Sequence, residues 1–328
     1  MSRRSDFGSR GRSDFGSRCI GKFANPKSIM VLIFVNPIAG KGRAAALAQR
    51  LSRAFSSRGL VSQIFTQPAY QISDSELRFD QPPEAMIVIG GDGTLRAAVE
   101  RMLSAARGDG SRMPPVLLVP FGTANLMARH LHLHWAENSF EDDVLGALEA
   151  RRVARMDVGM VNDRLFLLMV GIGIDAAIVH ELDNFRQGPI DFTSYALPSL
   201  LAIQKYEYPA LRVEIEGRRV LDNEPAMAFV GNIPEYGTGF PILTRARPDD
   251  SVLDVCILPC RSRIQVVRLL MLTLSGDHLN EEGVIYAKGK HIRIESASPA
   301  PVQIDGEASG HTPADVKLLP TRVPFIVT

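Results

Sequence analysis

Cysteine is scarce: Cys19, Cys256 and Cys260 are the only three in 328 residues. So odd and sparse a set argues against a disulfide framework and fits a reducing compartment. Cys256 and Cys260 read as reduced thiols on a strand and its turn, because two thiols without histidine partners do not make a zinc site. Long apolar runs are also missing. No stretch reaches the roughly 18 uncharged residues of a membrane span, and the best candidate, 264–274, is short and contains Arg268. The basic N-terminus has no apolar core before Ile29, so a secretory signal is not expected. Net charge is nearly absent too, with 37 Lys and Arg against 36 Asp and Glu. No global field favours nucleic acid, and attraction to anionic lipid has to come from a local patch. Two phosphate-binding signatures are lacking: there is no G-x-x-x-x-G-K-[ST], and no G-x-G-x-x-G in the first strand–helix turn.

What the chain does have is alternation. Residues 29–35 form a near-continuous apolar run, as for a strand buried on both faces. A helix follows over 43–57, with Leu47, Leu51 and Phe55 at helical spacing and Gly59 as its stop. Strands are expected at 60–66, 85–89 and 116–119, and helices at 95–107 and from 124 to 131. The helix over 95–107 places Leu95, Val99, Met102, Leu103 and Ala106 on one face. This pattern predicts an α/β N-terminal domain with a layered, mostly parallel sheet. Beyond about residue 152, apolar β-type runs follow at 156–161, 164–172, 211–215, 227–231, 253–258, 292–295 and 302–304. They predict a β-rich, antiparallel, sandwich-like C-terminal domain. Helical stretches near 194–205 and 263–274 interrupt it. Both carry apolar residues widely around the helix, so buried packing is expected, with membrane or lipid contact as the alternative.

The first residues stand apart. Arg4-Ser-Asp-Phe-Gly-Ser-Arg10 recurs as Arg12-Ser-Asp-Phe-Gly-Ser-Arg18, and so polar a repeat cannot bury a core. The expected division is therefore a disordered tail over 1–28, a nucleotide domain over 29–152 and a β-rich domain over 153–328. Whether the last strand returns to the first domain is left open.

Chemistry concentrates at three strand ends. The run Ile87-Val-Ile-Gly90-Gly91-Asp92-Gly93-Thr94-Leu95 ends a strand and begins a helix at once. Glycines there let backbone N–H groups approach phosphate, and the helix N-terminus adds partial positive charge. Asp92 is placed to hold Mg2+ or ribose, and Thr94 to cap the helix or touch phosphate. The first strand ends in Asn36-Pro37-Ile-Ala-Gly40-Lys41-Gly42, and the fourth in Pro120-Phe-Gly122-Thr123-Ala-Asn125. In an open α/β sheet the carboxyl ends of the strands line the ligand crevice, so three such loops make one site.

These loops resemble the three N-domain motifs of the diacylglycerol kinase catalytic family, which includes soluble bacterial diacylglycerol kinases and, more distantly, sphingosine and ceramide kinases. The resemblance continues in Asp157-Val-Gly, Gly171-Ile-Gly173-Ile-Asp175, Asp249-Asp250 before Leu253-Asp254-Val255, and Ile304-Asp305-Gly306-Glu307, and spans nearly everything from 30 to 328. It implies an α/β nucleotide domain joined to a β-rich lipid domain, with ATP between them. The positions it assigns to ATP are Asn36, Gly40, Lys41, Thr66, Gly91, Gly93, Thr94, Thr123, Asn125 and Glu307. It gives Asp305 the role of general base, or Asp92 in the sphingosine-type branch. It implies Mg2+ near Asp92, Asp157, Asp249 and Asp250. The implied activity is an ATP-dependent lipid kinase acting on a diacylglycerol-like or sphingoid hydroxyl, cytoplasmic, visiting the membrane surface, with no nucleic-acid partner and compatible with a homodimer. One position departs: where the bacterial enzymes carry an aspartate that joins the acids matching Asp92 and Asp157, this chain has Leu126. An aspartate restored at 126 is expected to strengthen Mg2+ binding. Two other readings stand beside this one: a kinase of a soluble substrate such as NAD, which shares the glycine run, and a non-catalytic lipid-binding or regulatory protein.

Overall fold

The computed structural model describes residues 30–79, 81–185, 202–237 and 239–328. The expected tail over 1–28 lies outside them. So does most of the helical stretch expected over 194–205, of which 202–205 is helical.

Four parallel strands form the first half: β1 (Met30–Val35), β2 (Val61–Phe65), β3 (Ala85–Gly90) and β4 (Val116–Pro120), in the order β2-β1-β3-β4. Their apolar residues alternate between two faces, which is why the runs are nearly unbroken. Val31, Ile33, Ile87, Ile89 and Leu117 pack against Leu47, Leu51 and Phe55 of α1 (Arg43–Ser57) and Val144 and Leu148 of α4 (Phe140–Ala150). Leu32, Phe34, Met86, Val88 and Leu118 pack against Leu95, Val99 and Met102 of α2 (Asp92–Ala105) and Met127 of α3 (Leu126–His130). Each fully buried side chain of this size stabilises the layers by about 1.5–3 kcal/mol.

The second half is antiparallel. Its strands are β5 (Val153–Val161), β6 (Arg164–Phe166), β7 (Met169–Ile172), β8 (Ala210–Ile215), β9 (Arg218–Gly231), β10 (Leu253–Pro259), β11 (Ile285–Gly289), β12 (His291–Ser296), β13 (Pro301–Ile304), β14 (Glu307–His311) and β15 (Ala314–Ile326). α5 (Ile174–Phe185) follows β7, and α6 (Arg263–Ser275) follows β10. The long β9 pairs with β8 through its first part and with β7 and β10 through its second, so it joins two sheets of a sandwich. The last strand, β15, lies between β12 and β5 and pairs in parallel with β4 at Phe325↔Val116. The α/β half and the β-rich half thus share one continuous hydrogen-bonded path. This is the α/β-plus-β architecture that the alternation and the later β runs predict.

The apolar run over 164–172 is not one strand. It breaks after Phe166 and resumes at Met169, and the amides at the break serve a carboxylate, as described next. α6 has two apolar faces. Val266, Leu269 and Thr273 are buried, whereas Ile264, Val267, Leu270, Met271 and Leu274 are exposed.

Candidate active site

Register brings the three glycine loops together. Val35 is level with Ile89, and Gly90 with Pro120. The Asn36 amide donates to Ile89 O at 3.1 Å, and the Phe121 amide to Gly90 O at 2.8 Å. Gly40, Lys41 and Gly42 all have positive φ (58°, 60° and 86°), a left-handed run that costs about 1–2 kcal/mol at the non-glycine Lys41. A Cβ on Gly40 would run into the Phe121 ring, so the first loop closes directly on the third. Gly91 and Gly122 lie back to back: a Cβ on Gly122 would come within 2.6 Å of Gly91 Cα. The Asn125 side chain, at φ 48°, holds the third loop in shape by accepting from Gly122 N (2.8 Å) and donating to Gly122 O (2.7 Å). Thr123 and Lys41 are exposed at this rim, Thr94 lies over Gly90, and Thr66 follows edge strand β2.

Asp92 opens α2 and anchors a second helix. Its two carboxylate oxygens accept the Leu126 amide at 2.9 Å and the Met127 amide at 3.1 Å, at the start of α3. Burial nonetheless pushes its pKa up, against those two hydrogen bonds. The side chain of Leu126 points elsewhere, into the core beside Met127. An aspartate at 126 would therefore be buried among apolar groups, so the expectation that it would supply a metal ligand does not hold.

From the β-rich half, the β13–β14 turn reaches this site. Asp305 sits at its tip with φ 49°. Its Oδ2 accepts the Leu167 amide at 2.8 Å, and its Oδ1 accepts those of Leu168 and Met169 at 2.9 and 3.0 Å. Those amides are the ones freed by the break between β6 and β7. Burial lifts the Asp305 carboxyl to about 6, while the amides and the Arg96 guanidinium pull the other way. Glu307, two residues on, lies against Gly93 of the glycine run and pairs closely with Arg96 of α2. Behind the turn, Gly306 N donates to Gln303 Oε1 at 2.8 Å, and Gln303 Nε2 reaches Asp175 Oδ2 at 3.3 Å. Arg96 and Gln303 carry no motif, and the helical period that marks Leu95 and Val99 as buried gives Arg96 no distinguishing mark.

The acids assigned to Mg2+ have other partners. Asp157 is buried and accepts Arg322 Nε at 2.6 Å and the Ser251 amide at 2.7 Å. Asp249 pairs with Arg247 at 3.5 Å. Asp250 pairs with Lys288 at 2.8 Å, and the same ammonium stands 3.3 Å from Asp254, which also accepts the Tyr286 hydroxyl. Among the described residues no group of three or more His, Cys, Asp or Glu is placed to hold an ion. The four acids thus do not fit a resident Mg2+ site, because arginine and lysine already neutralise three of them.

Glycine-bearing loops at the carboxyl edge of a parallel sheet, faced by a carboxylate turn from a β-sandwich-like half, define a two-domain phosphotransferase. Comparison with known proteins supports the same class. The diacylglycerol kinase catalytic domain profile matches residues 30–161, and that of the YegS C-terminal NAD kinase beta sandwich-like domain matches 168–327. A diacylglycerol kinase of Staphylococcus carnosus is 24% identical over 288 residues, covering 86% of this chain and 90% of that protein. One from Staphylococcus aureus is 24% identical over 245 residues, 74% of each chain. The crystal structure of a diacylglycerol kinase from Bacillus anthracis shares the fold with a TM-score of 0.67 at 24% identity, covering 92% of this chain and 97% of that one. An NAD kinase from Archaeoglobus fulgidus in complex with ATP shares it more distantly, at TM-score 0.52 and 15% identity over 90% and 93%. Residues 30–161 thus carry a diacylglycerol kinase catalytic domain and 168–327 a YegS C-terminal domain, and the chain is an ATP-using phosphotransferase with an alcohol group as acceptor.

Proposed function

We propose that this protein is a lipid kinase that transfers the γ-phosphate of ATP to the hydroxyl of a diacylglycerol-like or sphingoid lipid. The observation that carries the reading is the β13–β14 turn, which sets Glu307 on Gly93 and holds Asp305 on the same turn. The triphosphate lies along the glycine loops, against the α2 N-terminus. Asn36, Gly40, Lys41, Thr66, Thr94, Thr123 and Asn125 line its approach. Mg2+ enters with the ATP phosphates. Asp305 is the base. A carboxylate has about four lone-pair sites, and three are filled by the amides of Leu167, Leu168 and Met169. Oδ2 keeps one for the acceptor hydroxyl. With its pKa at about 6, Asp305 is ionised at neutral pH yet basic enough to take a proton. The lipid O–H bond breaks with its proton passing to Asp305 Oδ2, a bond forms from the lipid oxygen to the γ-phosphorus, and the bond from the γ-phosphorus to the β–γ bridging oxygen breaks to release ADP.

A membrane-borne acceptor is supported by α6. Its five exposed apolar side chains form one face. Residues 261–276 hold Arg261, Arg263 and Arg268 and no acid. Arg261 and Arg268 also pair with Glu224 and Glu281 on neighbouring segments. No helix among the described residues is long and apolar enough to cross a membrane. Such a helix lies on a lipid surface rather than through it, which would give the protein peripheral membrane contact.

The reading is tested by incubating purified protein with Mg·ATP and a mixed lipid extract and identifying phosphorylated products by mass spectrometry. At least one lipid alcohol should be converted. Asp305→Asn should lower turnover by about a hundredfold or more while ATP affinity stays within a few fold. No product from diacylglycerols, monoacylglycerols, sphingoid bases or ceramides would refute the lipid-kinase reading. Near-normal turnover of Asp305→Asn would refute the choice of base.

A further inference from the structure

Among the described residues, Arg96 is the only lysine or arginine that is buried. It stands one helical turn after Asp92, on the same side of α2. Its guanidinium lies at the seam between the two halves. One Nη pairs with Glu307 of β14, the other approaches Glu100 at 3.6 Å, and Nε has no partner. Glu100 in turn accepts the Leu165 amide of β6 at 3.1 Å. One face of α2 is thereby fastened to both β-strand segments that surround Asp305.

The three amides that hold Asp305 all belong to its own half of the molecule, between β6 and β7. The positive charge acting on it is Arg96, and that charge belongs to the other half. The charged groups packed around the Arg96 guanidinium are Glu100 of α2 and Glu307 of β14, and Asp175 of α5 lies against Gln303 of β13.

We propose that Arg96 is a positioning residue that couples the nucleotide side of the site to the turn carrying the base: it seats Glu307 on the glycine run and, from that place, sets a positive charge against the turn that holds Asp305. The inference rests on the reading of Asp305 as base. It goes further in joining the glycine run and the base-bearing turn through one buried side chain of α2.

The test uses Arg96→Gln, neutral and hydrogen-bonding, with Arg96→Lys as the charge-retaining variant, both in the full chain. In the active wild type, kcat/KM should fall as pH drops through about 6. With Arg96→Gln that limb should move up by about one pH unit or more, as expected when an opposite charge is withdrawn from a carboxylate. KM for ATP should rise as Glu307 loses its seat, and Arg96→Lys should return the limb most of the way. A second readout needs no turnover: the melting difference between wild type and Asp305→Asn, followed against pH. It should grow from about pH 4 to about pH 6 and then level, because a raised folded-state pKa costs stability as the pH climbs through that window. In the Arg96→Gln background it should go on growing for about one more unit. A folded Arg96→Gln protein with an unmoved kinetic limb and an unmoved melting difference would overturn the proposal and leave Arg96 a purely structural contact. If the wild type phosphorylates no lipid but the melting difference shifts as stated, the coupling stands and the lipid-kinase reading falls.

Discussion

Asp175 shows at the scale of one residue what burial does to a carboxylate. It is buried at the start of α5, one oxygen has no hydrogen-bond partner, and Gln303 Nε2 reaches the other at 3.3 Å. Loss of water pushes its pKa up to about 7, more than the Ala176 amide and Gln303 can offset. The folded protein therefore binds a proton here that the unfolded chain has released. With a folded pKa above the unfolded value near 3.8, this group costs no stability at low pH and progressively more as the pH rises to about 7. Asp175→Asn is neutral at every pH and nearly the same size. It should match the wild type near pH 4 and exceed it at pH 8 by a few kcal/mol in denaturant unfolding. Equal stability at both pH values would mean that the carboxylate is hydrated or paired.

At the scale of elements, legibility in the sequence follows burial. β1, β3 and β4 are apolar on both faces, and their runs end where the strands end, at Asn36, Gly90 and Pro120. The glycine loops follow from those ends, so the nucleotide side of the candidate site was legible before any coordinates. The other side was legible only through the resemblance that names Asp305 and Glu307, not through any local pattern. β14 reads Glu-Ala-Ser-Gly-His, largely polar, and β15 contains Pro320 and Pro324, which disrupt a strand signal and coincide with a register shift between Leu318 and Arg322. β15 is held by pairing on both sides, and no local pattern reports that. Asp157, Asp249 and Asp250 carry the acids that a metal would need, but the partners that neutralise them, Arg322, Arg247 and Lys288, come partly from strands far along the chain. At 126 the sequence shows a missing acid. In the fold, the backbone amide of Leu126 serves Asp92 while its side chain serves the core. Leu126→Asp should therefore lose about 3 kcal/mol or more of stability, without lowering the Mg2+ concentration for half-maximal activity. Leu126→Met should stay within about 1.5 kcal/mol of wild type. Melting curves and a Mg2+ titration of the three proteins decide the point. A stable aspartate variant with a lowered Mg2+ requirement would show that residue 126 reaches the cation after all.

At the scale of the whole molecule, the two halves are joined by shared pairing, not by a linker alone, since β15 runs along β5 on one edge and, on the other, meets the sandwich strand β12 near its start and β4 near its end. A chain built this way presents its outer surfaces in a fixed relation to the crevice. Among the described residues, α6 carries five of the eight large exposed apolar side chains on that outside. It is capped by Ser262 at its start and ended by Gly276 in the left-handed conformation, so its length is set by local chemistry and its outward face is not a fraying end. Ile264 and Met271 are 83% and 62% exposed on that face, seven residues apart. Two such side chains entering a lipid surface contribute on the order of 3 kcal/mol together, enough to change a vesicle partition coefficient by about a hundredfold. The double change Ile264→Asp and Met271→Asp removes that contact and adds two charges that anionic lipid repels. It should lower co-sedimentation with phosphatidylglycerol-containing vesicles at least tenfold, leave the melting temperature unchanged, and leave turnover of a short-chain, water-soluble lipid alcohol within a few fold. Raised salt should weaken the wild-type binding only in part, because the arginines around the helix are screened while the apolar contact is not. Undiminished vesicle binding by the double variant would remove α6 from the membrane contact and leave its apolar face to a protein partner or a second copy of the chain.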